Sequence, residues 1–187
     1  MTPPTDEERL VEVLQRAQSE GSLGSWPINE VIAHAREFVA ALPHDARTVL
    51  DLGSGAGVPG LVIALDLPQA HVTLVDRRDK RVDALQRAIA GLGWSERVTA
   101  LSADASELAQ DPTWQGSHDA AVARGFGPPE ITLSLAAKLT RIGGVVVVSE
   151  PPADLPSRWE PSLCVVCGVS APERLGRVVR FHVERHP

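Results

Sequence analysis

The glycine-rich stretch GSGAGVPG, residues 53–60, is the segment whose residue types most directly suggest ligand chemistry. Gly53, Gly55 and Gly57 allow a tight turn and let a ligand approach the backbone where any Cβ would collide. The stretch follows an apolar segment, residues 48–52, and opens a helical one, so that unpaired amides of the first helical turn face the same ligand. These features predict a nucleotide-like ligand, with NAD, FAD and S-adenosylmethionine as candidates.

Acidic residues end the next two predicted strands. Asp76 comes 19 residues after Gly57, where a carboxylate can accept hydrogen bonds from both hydroxyls of a ribose. Arg77 follows at once and predicts either a contact to a ribose 2′-phosphate or a solvated start of the next helix. Asp104, with the amides of Ala105 and Ser106, is expected to meet an adenine edge, and its alternative role is that of a helix N-cap.

One further carboxylate distinguishes the candidate ligands. Asp51 stands just before the glycine stretch, where a negative charge is unfavourable beside a pyrophosphate but attracts the cationic amino-acid end of S-adenosylmethionine. This residue therefore favours S-adenosylmethionine over a dinucleotide. Residues 53–57, which include Ser54, are expected to wrap the amino-acid half of that cofactor.

The elements that position these residues follow from the hydrophobic pattern. Apolar residues at helical spacing predict two helices within residues 1–47, and from residue 48 short apolar runs alternate with amphipathic stretches. We expect an α/β, Rossmann-like, seven-stranded and mostly parallel sheet with helices on both faces and two N-terminal helices. Five parallel strands end at residue 150, and residues 161–169 and 177–184 are predicted to add an antiparallel pair. The expected organisation is a helical cap over 1–47 and one ligand-binding domain over 48–187.

Composition limits the classes of function. The chain has 187 residues, 43% of them hydrophobic and 22% charged, which is typical of one globular domain with its own core. No apolar run approaches the roughly 20 residues of a membrane helix and no secretory signal is present, so we expect a cytoplasmic protein without membrane contact. Cys164 and Cys167 lie in an apolar run that predicts a buried strand, and no set of donors at metal-ligand spacing accompanies them. We therefore expect no metal.

Three motifs carry a resemblance to a known family. They are LDLGSGAGVPGL, VTLVDRRDKR and AVARGF, within residues 48–150, and together they resemble class I S-adenosylmethionine-dependent methyltransferases. Within that class they are similar to the bacterial small-subunit ribosomal RNA guanine-N7 methyltransferases, the glucose-inhibited division protein B family. The resemblance implies cofactor contacts from Gly53, Val58, Ala105, Ser106 and Arg124. From its place at the carboxyl end of a predicted strand, Arg124 is also expected to orient the substrate or the cofactor carboxylate and to balance developing charge.

The implied activity is methyl transfer to guanine N7 of ribosomal RNA, a reaction that needs no base because N7 carries a free lone pair. The net charge of −6 repels a polyanion, so RNA binding would require a local patch built from arginines such as those at 77, 78, 81, 174, 177, 180 and 185. Residues 1–47 carry four arginines against eight acidic residues and lack the substrate-engaging motifs of the family. A small-molecule or protein acceptor, and a non-catalytic cofactor-binding protein, therefore stay open as alternatives.

Overall fold

A seven-stranded sheet with helices on both faces organises the molecule. The computed structural model describes residues 3–151 and 157–185. In chain order the elements are α1 (Asp6–Ser19), α2 (Ile28–Ala41), β1 (Thr48–Leu52), α3 (Gly60–Asp66), β2 (His71–Asp76), α4 (Asp79–Leu92), β3 (Val98–Ser102), α5 (Ala105–Leu108), β4 (His118–Ala123), α6 (Pro129–Leu139), β5 (Thr140–Ser149), α7 (Pro161–Cys167), β6 (Glu173–Leu175) and β7 (Val178–His182). The predicted fold class is confirmed.

The strand order is β3-β2-β1-β4-β5-β7-β6. The first five strands pair in parallel, whereas β7 runs antiparallel to β5 and β6 runs antiparallel to β7. After β1 the chain builds outward through β2 and β3, and it then returns to the other side of β1 with β4. The crevice between β1 and β4, at their carboxyl ends, is therefore the switch point where open α/β sheets bind ligands.

Each face of the sheet packs its own hydrophobic cluster. The α2-side cluster contains residues of α1, α2, α3 and α4 together with Val49 and Val122, while the opposite cluster contains residues of α6 and α7 together with Leu50, Leu52 and Ala123. Alternate residues of one strand thus face different layers, as the pleat of a strand requires. Both predicted N-terminal helices are present, and Leu10 and Leu14 of α1 are fully buried in the α2-side cluster.

The expectation of a strand over residues 161–169 is wrong, because the chain forms the helix α7 there. Pro161 occupies its first turn and Gly168 ends it in the left-handed conformation, with φ of 67°. Cys164 and Cys167 are buried, as a helical spacing of three allows, whereas the two residues between them, Val165 and Val166, are 61% and 72% exposed. Four consecutive apolar residues do not distinguish a short helix from a strand.

The sixth strand is instead the short segment Glu173–Leu175, which forms a hairpin with β7 across Gly176 and Arg177. The proline-rich connection predicted over residues 151–161 lies partly outside the described residues, since positions 152–156 are not among them. None of the helices in residues 3–151 and 157–185 combines the length and apolar character needed to cross a bilayer.

Candidate functional site

A cavity of about 660 Å³ opens at the carboxyl edge of the sheet. The loops after β1, β2, β3 and β4 contribute its walls. Its lining residues are Gly53, Val75, Asp76, Arg77, Arg78, Arg81, Ala103, Asp104, Ala105, Ser106, Gly125, Phe126, Gly127, Pro128, Ile131 and Leu135. The cavity therefore lies at the switch point that the strand order defines.

The glycine loop that follows β1 is held against β2. The amides of Gly53 and Ser54 both donate to the carbonyl oxygen of Val75, at 2.8 and 2.9 Å. Gly53 has a φ of 71°, and a Cβ at this position would lie 2.8 Å from Cδ2 of Phe126. Only glycine satisfies both conditions without strain, so no side chain separates the backbone of residue 53 from the cavity.

Asp76 lines the cavity from the end of β2, although only 5% of it is exposed. Its Oδ2 accepts from the amide of Gly55 at 3.0 Å and from Nη1 of Arg81 at 3.3 Å, and its Oδ1 accepts from the amide of Arg78 at 3.0 Å. This carboxylate therefore fixes the glycine loop and the start of α4 in one arrangement. Its remaining lone pairs are available to a ligand in the cavity.

Asp104 caps the short helix α5. Its Oδ1 accepts from the amide of Ser106 at 2.8 Å and from the Ser106 hydroxyl at 2.6 Å. These two hydrogen bonds from Ser106 lower the pKa of Asp104, which keeps the carboxylate ionised. Asp104 thus serves as an N-cap and at the same time lines the cavity with Ala105 and Ser106.

Asp51 lies behind the glycine loop and is 1% exposed. Its Oδ2 accepts from the amide of Gly60 at 2.9 Å, but its Oδ1 has no hydrogen-bond partner in the described part of the chain. Burial raises the pKa of Asp51 to about 7, and the hydrogen bond from Gly60 and the charge of Arg124 oppose that rise. A buried oxygen left without a donor is a position where a ligand donor is favoured.

Arg124 follows β4 and is half-buried. Burial lowers its pKa, and the carboxylate of Asp51 acts in the opposite direction. No described carboxylate forms an ion pair with this guanidinium. Arg124 and Asp51 therefore form a second polar region, adjacent to the cavity and on the α2 side of the sheet.

The predicted site residues divide into two groups. Those that line the cavity are Gly53, Asp76, Arg77, Asp104, Ala105 and Ser106, and those that are not among its lining residues are Asp51, Ser54, Gly55, Gly57, Val58 and Arg124. In the second group, Ser54 donates its hydroxyl to the carbonyl of Asp51 at 2.8 Å, and Val58 is buried. A Cβ at Gly57 would lie 2.5 Å from Leu61 Cδ1, so this glycine permits the packing of α3.

Sequence reasoning missed one wall of the cavity. This apolar wall comes from the β4–α6 connection and the first turns of α6, and its members are Gly125, Phe126, Gly127, Pro128, Ile131 and Leu135. Ile131 is 50% exposed and contributes apolar surface to this wall. The available signal was the run GFGPP, in which glycine and proline flank a single aromatic residue.

The arginines proposed for an RNA patch do not gather in one place. Arg77, Arg78 and Arg81 line the cavity. The other four lie in or beside the β6–β7 hairpin and bind the chain itself: Arg174 donates to the carbonyl of Pro151, Arg177 to the Glu37 carboxylate at 2.6 Å, Arg180 to Glu173 at 2.7 Å and Arg185 to the carbonyl of Val165 at 2.8 Å. Only the first three line the cavity, and of these Arg81 already donates to Asp76.

A model of the GidB family, described as rRNA small subunit methyltransferase G, matches residues 28–150. This chain belongs to the GidB family. The matched region begins with α2 and ends with β5, so it contains the glycine loop and every wall of the cavity.

Several curated relatives share the family name "Ribosomal RNA small subunit methyltransferase G". The protein of Prochlorococcus marinus (strain MIT 9313) is 34% identical over 119 residues, which are 64% of this chain and 45% of that protein. The protein of Rhizorhabdus wittichii is 44% identical over 87 residues, covering 46% of this chain and 38% of the relative. The protein of Deinococcus radiodurans is 38% identical over 103 residues, which are 55% of this chain and 40% of that protein. The chain thus spans less than half the length of these GidB relatives.

Solved structures support the fold. A Corynebacterium glutamicum protein aligns with a TM-score of 0.63 at 16% identity, over 100% of this chain and 94% of the other. A predicted O-methyltransferase from Agrobacterium tumefaciens aligns with a TM-score of 0.58 at 22% identity, over 78% and 76% of the two chains. At these identities the likeness concerns the fold alone.

Proposed function

We propose that this chain is an S-adenosylmethionine-dependent methyltransferase that methylates N7 of a guanine in small-subunit ribosomal RNA. The observation that carries the proposal is the GidB match over residues 28–150, because it includes the whole wall of the carboxyl-edge cavity. A cytoplasmic location, where ribosomal subunits are found, is part of the same proposal.

The residues around the cavity fit the cofactor. Asp76 offers a carboxylate to ribose hydroxyls, and the apolar wall with Ile131 and Leu135 offers an apolar surface to a purine. Gly53 exposes bare backbone between this region and the buried Asp51. The Oδ1 atom of Asp51, which no described donor reaches, fits the ammonium group at the other end of the molecule.

Methyl transfer requires the protein mainly to position the acceptor atom and the methyl donor. When bound, S-adenosylmethionine supplies a methyl group on a sulfonium, which is already a good leaving group. The chain must align the acceptor atom with that group and exclude water. Guanine N7 needs no deprotonation, which agrees with a cavity whose two carboxylates, Asp76 and Asp104, are both committed to hydrogen bonds within the chain. Arg124 is proposed to balance charge beside the reacting groups.

Positive charge at the cavity supports an RNA acceptor. Arg77 and Arg78 are exposed at its rim and Arg81 lies beside them, in a molecule whose net charge is −6. A phosphate backbone that follows this rim would meet the arginines, whereas the rest of the surface repels it. The local patch would thus orient the RNA more than it would raise the overall affinity.

The test is methylation of purified small ribosomal subunits that lack the guanine N7 mark, with S-adenosylmethionine labelled in its methyl group. We expect label in the RNA with unmethylated subunits and none with subunits that already carry the mark. A variant with Asp76→Ala serves as the matched inactive protein. Absence of transfer at every salt concentration, from a protein that does bind S-adenosylhomocysteine, would contradict RNA as the acceptor.

A small-molecule or protein acceptor is the second candidate, favoured by the four arginines near the β6–β7 hairpin that bind carboxylates and carbonyls of the chain itself. The same labelled cofactor, incubated with a cell extract from which ribosomes have been removed, separates the two candidates. Label in metabolites or protein would favour the second.

A further inference from the structure

Among the described residues, Phe126 is the only aromatic side chain that lines the carboxyl-edge cavity. It stands in the connection between β4 and α6, two residues after Arg124. The carboxylates and arginines of the cavity offer hydrogen bonds and charge, whereas Phe126 offers a π-face to a planar ligand. Nucleic-acid bases stack on aromatic side chains for this reason.

The Phe126 ring lies against the glycine loop. A Cβ at Gly53 would lie 2.8 Å from Cδ2 of Phe126, and the next two nearest heavy atoms, both at 3.7 Å, also belong to Phe126. The amide of Gly53 donates to the carbonyl oxygen of Val75, the residue before Asp76. The ring is therefore beside the junction between the glycine loop and the end of β2.

The connection that carries Phe126 is anchored to α6. The Thr132 hydroxyl donates to the carbonyl oxygen of Gly127 at 3.2 Å, and the Thr132 amide donates to that of Pro128 at 2.9 Å. Phe126 itself is half-buried, because it packs against the cluster that contains residues of α6 and α7. These contacts hold the ring in place before any ligand binds, which lowers the entropy cost of stacking a base on it.

In the proposed complex, this junction is the position of the methyl donor. Asp76 accepts from the ribose, and residues 53–57 wrap the amino-acid half of the cofactor. The sulfonium joins these two parts of the molecule, so its place is close to Gly53 and to the ring of Phe126. The adenine lies on the other side of the ribose, toward Asp104, and leaves this ring to a different ligand.

The geometry of the acceptor atom requires a surface of this kind. The N7 lone pair of guanine lies in the plane of the base, and it forms the new bond to the methyl carbon while the carbon–sulfur electron pair returns to sulfur. The positive charge passes from sulfur to the base, and no proton moves. Attack in line therefore points one edge of the base at the donor and leaves both faces free. A side chain beside the donor can hold such a base through a face, by stacking.

We propose that Phe126 is the residue on which the acceptor guanine stacks, so that the edge of the base that carries N7 faces the methyl group. The inference rests on the proposed function and deepens it, because it names the side chain that binds the acceptor base and assigns the acceptor site to the connection between β4 and α6.

The test measures methyl transfer by the full chain to small ribosomal subunits that lack the mark, with labelled S-adenosylmethionine at saturation. Phe126→Leu keeps an apolar side chain but removes the π-face. We expect it to raise the subunit concentration for half-maximal rate about tenfold, with little change in the maximal rate, because stacking holds the base equally before and during transfer. The affinity for S-adenosylhomocysteine, measured by titration calorimetry, should stay within about twofold. Phe126→Tyr, which keeps the ring, should recover most of the loss.

Trp114→Leu is the matched control. Trp114 is half-buried and packs against the same hydrophobic cluster as Phe126, but its ring stacks on that of His118, which begins β4 at the opposite edge of the sheet. This variant should change neither the subunit concentration for half-maximal rate nor the affinity for S-adenosylhomocysteine. Thermal melts of all variants verify folding.

Three results would overturn the inference. The first is an unchanged subunit requirement in Phe126→Leu. The second is an equal loss of affinity for S-adenosylhomocysteine, because the ring would then belong to the cofactor site. The third is the same loss in Trp114→Leu, because the effect would then follow from the shared hydrophobic cluster. An unchanged protein that binds S-adenosylhomocysteine but transfers nothing to the subunits would overturn the proposed function, and this inference with it.

Discussion

Asp51 and Asp76 both stand near the carboxyl ends of neighbouring strands, yet their carboxylates have different numbers of hydrogen-bond partners. Asp76 accepts three hydrogen bonds from the glycine loop and the start of α4. Asp51 accepts one, from Gly60, and keeps a buried oxygen without a described partner. The carboxylate that ends β2 is therefore held by the protein itself, whereas we propose that a ligand completes the unpartnered oxygen of Asp51.

The difference has a cost in stability. Burial without full compensation raises the pKa of Asp51 from its ordinary value of 3.8 to about 7. The folded state then holds a proton over a pH range in which the unfolded chain has released it, so folding becomes less favourable as pH rises from about 4 to about 7. Sites that bind charged ligands commonly carry such a penalty.

The largest effect on stability is expected at Gly60, which packs against both Asp51 of β1 and Leu74 of β2. A Cβ at Gly60 would lie 2.1 Å from Leu74 Cδ2 and 2.6 Å from Oδ2 of Asp51. Gly60→Ala is therefore predicted to lower the free energy of unfolding by about 3 kcal/mol, measured by urea denaturation. Gly91→Ala in α4, where nothing lies within 4 Å, is the control and should stabilise by about 0.5–1 kcal/mol. Equal behaviour of the two variants would contradict this packing.

Next in size is Asp51→Asn. Asparagine does not ionise but can still accept from Gly60, so the variant should be more stable than the unchanged protein by about 2 kcal/mol near pH 8. The advantage should vanish at about pH 3, below the ordinary pKa of 3.8, where Asp51 is protonated in both the folded and the unfolded chain. Urea midpoints across this pH range measure it. Parallel stability curves for the two proteins would mean that Asp51 is not the group that titrates. The affinity for S-adenosylhomocysteine should fall in the variant. The affinity for 5′-methylthioadenosine, which lacks the amino-acid half, should not change.

Asp76→Asn should show the opposite pattern. An amide cannot accept from all three donors that Asp76 satisfies, so stability should fall by about 1.5 kcal/mol in the same urea assay. Because Asp76 faces the ribose in the proposed complex, S-adenosylhomocysteine and methylthioadenosine should weaken by the same factor. If only one of the two nucleosides bound more weakly, Asp76 would not be the residue that binds the ribose.

The smallest effect concerns RNA alone. Arg77→Gln and Arg78→Gln lie at the exposed rim, and each should reduce the slope of the logarithm of RNA affinity against the logarithm of salt concentration by about 1. The free energy of unfolding should not change, because both side chains are exposed. Arg16→Gln on α1, whose side chain is 82% exposed, is the control arginine. An identical slope for rim and control variants would remove the rim from the RNA path.

Much of the fold was predictable because its signals are local. The bounds of β1, Thr48–Leu52, coincide with the predicted apolar segment 48–52, and both predicted N-terminal helices lie within residues 1–47. The strand expected over residues 161–169 failed because an isolated apolar run carries no periodicity, and only the packing of Cys164 and Cys167 against α6 and β7 residues decides for a helix.

The sequence alone determined which functional groups are present at the carboxyl edge of the sheet: a glycine loop after β1, carboxylates at 51, 76 and 104, and an arginine after β4. The tertiary structure decided which of these groups are already satisfied. It supplied three donors to Asp76, one to Asp51 and a ring of Phe126 against Gly53. The reason is physical, since residue type fixes what a side chain can donate or accept, whereas burial and long-range packing fix whether a partner is present.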